Sequence, residues 1–146
     1  MCTCMDVDKN TLKRNFDNLN NQIETACSKT NRDPKEITLV TVIKNQTVKT
    51  VENVFELGYR NFGENKLQEL DEHKIYFENI DISNEIVWNF IGQIQNNKLS
   101  KIIDKSDVIQ SIDSISQIEK IAKKDSKPKL YLQIAGNDDT SRGGVS

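Results

Sequence analysis

The sequence predicts an α/β fold built from parallel βα units, and three observations carry that expectation. Strand-sized apolar runs alternate with segments of helical periodicity along most of the chain. Ile37 to Ile43 is an almost unbroken β-branched and apolar run, the pattern of a parallel strand covered on both faces. The segment after it is bracketed by Thr47 and Gly58, residues suited to the N-cap and the C′ position of a helix.

The first element reads as an amphipathic helix over about Asp8 to Lys29, because Leu12, Phe16, Leu19, Ile23 and Cys27 recur at three- and four-residue spacing. Pro34 closes it off. After the strand at Ile37 to Ile43, Val48, Val51 and Phe55 form the apolar face of the Thr47-capped helix. Tyr59 to Phe62 is the second strand, with Gly63-Glu64-Asn65 as the turn that ends it, and a helix follows through Leu67, Leu70 and Phe77. Ile86 to Ile91 is the third strand, and Asn97 caps a short helix bearing Leu99, Ile102 and Ile103. Val108 to Ile112 is the fourth strand, and Ser114 with Gln117 forms a capping box for a helix with Ile115, Ile118 and Ile121. Lys129 to Ala135 is the fifth, followed by a polar, Gly-rich end. Five strands joined by four helices imply a parallel sheet with right-handed crossovers. The pattern alone leaves both an open doubly wound sheet and part of a (β/α)8 barrel in play. It leans to the open sheet, since eight βα units take roughly 200 residues or more.

At 146 residues the chain is one domain's length, and no repeat or Pro/Gly-rich linker divides it. Twenty basic and 22 acidic residues leave a net charge of −2, with no basic stripe that would suit nucleic acid or an anionic membrane surface. The apolar runs are too short to span a membrane, and the N-terminus lacks the pattern of a secretory signal, so a cytoplasmic protein is expected. Cys2, Cys4 and Cys27 read as reduced thiols without a second pair to complete a zinc site. His73, the single histidine, sits in the polar run Asp71-Glu72-His73-Lys74 and reads as solvated on a helix surface. With one histidine, Ser-His-Asp catalysis and paired-histidine metal chemistry are poor expectations.

Lys44 directly follows the first strand, at the end where loops of a parallel α/β fold converge on a ligand, although a lysine so placed also suits a plain solvated charge. Phe62-Gly63-Glu64-Asn65 comes next, followed by Gln68-Glu69, and then Trp88-Asn89-Phe90-Ile91-Gly92-Gln93-Ile94-Gln95-Asn96-Asn97-Lys98. Without a ligand, Gly63-Glu64-Asn65 is a strand-to-helix connector with Asn65 as a cap, Trp88 and Phe90 are core residues, and Lys98 is a surface charge.

Taken together, these segments resemble the pyridoxal phosphate (PLP) homeostasis proteins, the YggS/PROSC-like family. The resemblance runs from about Glu36 to Val145, through Ser111-Ile112-Asp113-Ser114 and Ser141-Arg142-Gly143-Gly144-Val145. It implies a partial (β/α)8 TIM barrel of alanine racemase N-terminal type, about five of eight strands, preceded by an N-terminal helix. The whole of 1–146 is then one PLP-binding barrel domain, with the helix at about 8–30 and the βα units at about 36–146. It implies PLP held as a Schiff base on Lys44, with Asn65 offering its amide to the phenolate oxygen. Glu64 is then either paired with a cation at the barrel mouth or orienting the loop. The implied role is intracellular PLP homeostasis without a recognised reaction. The alternatives are a remnant without ligand function and, behind it, a racemase-type PLP enzyme, for which no second acid/base is evident. The chain departs from the family at Asn89, where a histidine is usual, and at Ala135, where an asparagine is usual. The segments that hold the phosphate and the pyridine nitrogen are expected in the family's last third, so the sequence reads as a C-terminally shortened member.

Overall fold

A computed structural model describes residues 6–125, 128–135 and 144. Helix α1 (Lys9–Lys29) starts where Asp8 accepts a hydrogen bond from the Thr11 backbone N–H at 3.0 Å, the side-chain cap that a helix N-terminus needs. Its apolar stripe anchors it to the rest: Leu12 and Phe16 pack on the core, Phe16 stacks on Tyr59 at 3.8 Å, and Cys27 is buried. A 3₁₀ turn at Pro34–Glu36 then leads into the sheet.

The sheet has five parallel strands in the order β1-β2-β3-β4-β5: β1 (Thr41–Val42), β2 (Asn61–Glu64), β3 (Val87–Phe90), β4 (Val108–Ile112) and β5 (Lys129–Leu132). Between them run α2 (Val48–Glu56), α3 (Leu67–Asn79), α4 (Leu99–Lys105) and α5 (Ile115–Ala122). The strand order never reverses. A doubly wound sheet needs a reversal, so the lean toward an open sheet is corrected: right-handed crossovers in one direction put every helix on the same face, the winding of a (β/α)8 barrel.

Strand parity divides the two faces. Phe62, Trp88, Phe90 and Ile109 point into the helix layer and are buried there. Phe77 of α3 meets both Phe62, at 6.2 Å between ring centroids, and Trp88, at 6.0 Å, while Phe62 and Trp88 meet edge-on at 5.9 Å. The other face, which a complete barrel turns inward, carries Thr38, Val40, Asn61, Val87, Asn89, Val108, Gln110, Lys129 and Tyr131 around a cavity of about 450 Å³. The expectation that Ile37 to Ile43 is covered on both faces is therefore corrected. Only Thr41–Val42 is assigned as strand, Val42 is 48% exposed, and Ile43 alone of the run is fully buried.

Other boundaries move as well. β2 lies two residues further on than the apolar run suggested, so Gly63 and Glu64 belong to the strand and not to a turn. Gly63 has no positive φ; a Cβ there would meet Val40 Cγ1 at 3.2 Å and Ile91 Cδ1 at 3.4 Å, so its smallness serves packing. Gly58, by contrast, takes φ +95° just after α2, as expected of a C′ glycine. Lys98, not Asn97, stands at the α4 N-cap, without a side-chain bond. Ser114 caps α5 by position only, and Gln117 Oε1 accepts from the backbone N–H of Asp113, the residue before the N-cap, at 3.0 Å, so the expected capping box does not form. β5 ends at Leu132, and the polar Gly-rich segment after Ala135 lies outside the described residues apart from Gly144.

Candidate functional site

The carboxyl ends of β1 and β2 lie side by side. Val42 pairs with Gly63, and Ile43 donates its backbone N–H to the Gly63 carbonyl at 3.0 Å. Counted two residues on from that pair, Lys44 in the turn after β1 and Asn65 just past β2 fall at corresponding positions. Glu64 pairs with Phe90 and accepts the Ile91 N–H through its carbonyl at 2.8 Å, which brings Gly92 against Asn65. The contact is tight: a Cβ on Gly92 would sit 1.9 Å from the Asn65 carbonyl oxygen, so only glycine fits. Lys44, Asn65 and Gly92 thus occupy one end of the sheet, the end where parallel α/β folds take ligands.

Their surroundings differ. Lys44 is exposed and makes no hydrogen bond or ion pair among the described residues, while Asn45 after it takes φ +56° to turn the chain toward α2. Asn65 is half-buried, and its Oδ1 is fully buried without a hydrogen-bond partner. It does not cap α3, whose N-cap position is Lys66. It borders a pocket of about 260 Å³ on the side of α3 and α4, whose lining includes Lys66, Gln93 and Lys98 but not Lys44. The structure therefore relates Lys44 and Asn65 by their positions after paired strands, and not by a shared pocket.

Glu64 faces away from the mouth. Strand parity turns it into the helix layer, where it is 1% exposed and its Oε1 lies 3.3 Å from His73 Nδ1. Its Oε2 accepts the Asn65 backbone N–H at 3.1 Å. Of the two roles expected of Glu64, orienting the loop fits this geometry and pairing with a cation at the mouth does not. His73 is corrected outright. It is buried in the layer between sheet and helices, not solvated, because Leu70, His73 and Phe77 form the inward stripe of α3. That three- and four-residue spacing was the signal available in the sequence, masked by charged neighbours on both sides.

The cation near the mouth is Lys66, a residue the sequence reading passed over. Its Nζ lies 2.6 Å from Glu69 Oε1 and 3.3 Å from Asn45 Oδ1, and Glu69 Oε2 accepts the Asn45 backbone N–H at 3.0 Å. The Lys66 ammonium, and after it the Asn45 N–H, hold the Glu69 carboxyl below its ordinary range against the opposing effect of burial. Asn89 lies on the inner face, where it donates to the Phe62 and Val87 carbonyls at 3.2 and 3.1 Å and accepts from Gln110 at 3.0 Å. Its amide stitches β2, β3 and β4 together, a use that needs no titrating group.

Among the described residues no three His, Cys, Asp or Glu side chains are placed to hold a metal ion, and no helix is long and apolar enough to cross a membrane.

Singly wound parallel βα units behind an N-terminal helix define an α/β protein that matches part of a barrel. No family model matches the sequence. It is 29% identical over 138 residues to the pyridoxal phosphate homeostasis protein of Haemophilus influenzae, an alignment covering 92% of this chain and 57% of that one. To the protein of the same name in Escherichia coli K12 it is 27% identical over 142 residues, covering 93% and 59%. Among solved structures, PipY of Synechococcus elongatus without PLP superposes with a TM-score of 0.70 at 26% identity, over 85% of this chain and 58% of PipY. PipY with PLP bound superposes with a TM-score of 0.69. An unknown protein from Bifidobacterium adolescentis shares the fold, with a TM-score of 0.80 over 98% of this chain at 20% identity. In sequence and fold the chain is similar to the pyridoxal phosphate homeostasis proteins, and it spans a little under three fifths of the length of these curated relatives.

Proposed function

We propose that this chain binds pyridoxal 5′-phosphate in the cytoplasm through Lys44, as a carrier in PLP homeostasis and not as a catalyst. The observation that supports the reading is that Lys44 and Asn65 directly follow the paired strands β1 and β2, at the end of a sheet where parallel α/β folds take ligands. The residues present suit the aldehyde end of the cofactor. Among the described residues, Lys44 offers an amine that is not committed to another group, and Asn65 offers a carboxamide with a buried oxygen lacking a partner. Bound PLP supplies an aldehyde that condenses with a primary amine; a C=N bond replaces C=O and one water leaves. For this Lys44 must be uncharged when it attacks. Asn65, its backbone packed against Gly92, would offer its carboxamide to the bound cofactor. PLP bound to a solved relative supports the reading by kinship.

The test is retention. Protein mixed with equimolar PLP and dialysed should keep imine absorbance in the wild type and lose it in Lys44→Ala. Equal loss from both proteins would reject the assignment of Lys44.

A further inference from the structure

Glu64 and His73 are buried, titratable, and unused by the binding reading. Their side chains are 1% and 4% exposed, and Glu64 Oε1 lies 3.3 Å from His73 Nδ1, a close contact that is not a hydrogen bond, while neither atom has a hydrogen-bond partner among the described residues. In a buried layer that close polar approach is what each atom has in place of a hydrogen bond. What it holds is the turn. The second carboxylate oxygen of Glu64 accepts the Asn65 N–H, and the Asn65 carbonyl on the far side of the same residue is pressed against Gly92. Asn65 is thereby gripped at both its N–H and its carbonyl while its side chain is left for another partner.

We infer that His73 is a positioning residue: through the Glu64 carboxylate it fixes the Asn65 backbone, and so aims the Asn65 carboxamide at whatever binds beside Lys44. The second half rests on the proposed PLP reading; the first does not. His73 touches no ligand in this scheme. Without the imidazole beside it the Glu64 carboxylate has room to turn, releasing the Asn65 N–H.

Two readouts separate these halves. The first needs no PLP: amide hydrogen exchange of Asn65 by NMR in the wild type, Glu64→Gln, His73→Leu and the milder His73→Gln. Exchange at Asn65 should rise about tenfold in His73→Leu, the scale of one lost hydrogen bond, while core amides such as Ile109 stay protected. Unchanged Asn65 exchange in folded His73→Leu or His73→Gln protein overturns the inference. The second is a double-mutant cycle on PLP retention. His73→Leu should weaken retention about tenfold in the wild-type background and have no further effect in Asn65→Ala. An equal further loss in Asn65→Ala means that His73 does not act through Asn65 and also overturns the inference. If wild-type protein retains no PLP while Asn65 exchange still responds to His73, the binding reading fails and the positioning of the turn stands.

Discussion

The mouth of the sheet is tuned by single residues whose chemistry is local. Glu69 links Lys66 to the Asn45 backbone N–H, and its carboxyl is held below the ordinary 4.5, first by the Lys66 ammonium. A lowered carboxyl pKa in the folded state means stability that is full above the unfolded value. That stability disappears as pH falls through the folded value. Lys66→Met should therefore lower the urea midpoint at pH 7, with the gap to wild type closing below about pH 4 as Glu69 protonates in both proteins. A gap that persists unchanged at pH 3 would contradict this charge assignment. At this scale the sequence was legible in part. Lys44 and Asn65 stand out through the segments that resemble the family, since position after an apolar run alone also suits a solvated lysine and a helix cap. Glu64 and His73 could not be paired, because their contact depends on β2 beginning two residues later than its hydrophobicity suggests. Extending β2 through Glu64 puts its side chain on the same helix-facing side as Phe62.

At the scale of elements, punctuation was more legible than strand edges. Thr47 and Gly58 act as the caps their residue types predict, because capping depends on a few backbone groups nearby, while the caps expected at Asn97 and at Ser114 with Gln117 do not form. Strand boundaries depend on neighbours far along the chain, so the apolar run at Ile37 to Ile43 overstates β1, and Ile86 to Ile91 overstates β3 by one residue at each end. Gly58 offers a direct check on the helix-ending argument. It takes φ +95° with open space around it, so Gly58→Ala meets no clash and pays only for backbone conformation. The expected cost is about 1–2 kcal/mol, read from urea unfolding at constant m. A cost near zero would mean that α2 can end in another way.

At the scale of the whole molecule, the winding direction was beyond the sequence pattern, since a βα alternation is equally compatible with either order. Topology resolves it, and with it the reason for a polar inner face around Asn89 and Gln110. β5 pairs with β4 and presents Leu132 and Ile134 at 52% and 75% exposure, on a strand with no buried residue. Exposed apolar residues at a strand edge promote association between chains. Leu132→Lys combined with Ile134→Lys should reduce self-association of the 146-residue chain in concentration-dependent light scattering, with little change in the thermal midpoint. Unchanged scattering would place the sticky surface elsewhere.

The central claim is that Lys44 is the PLP-reactive lysine, and the chain carries its own control in fifteen other lysines. Free PLP forms imines with ordinary surface lysines, so colour alone decides nothing. Borohydride trapping at limiting PLP followed by peptide mapping reads each lysine separately. The account predicts Lys44 labelled well ahead of every other lysine, with the preference abolished in Lys44→Ala. Even labelling across the lysines, unchanged in Lys44→Ala, would contradict it.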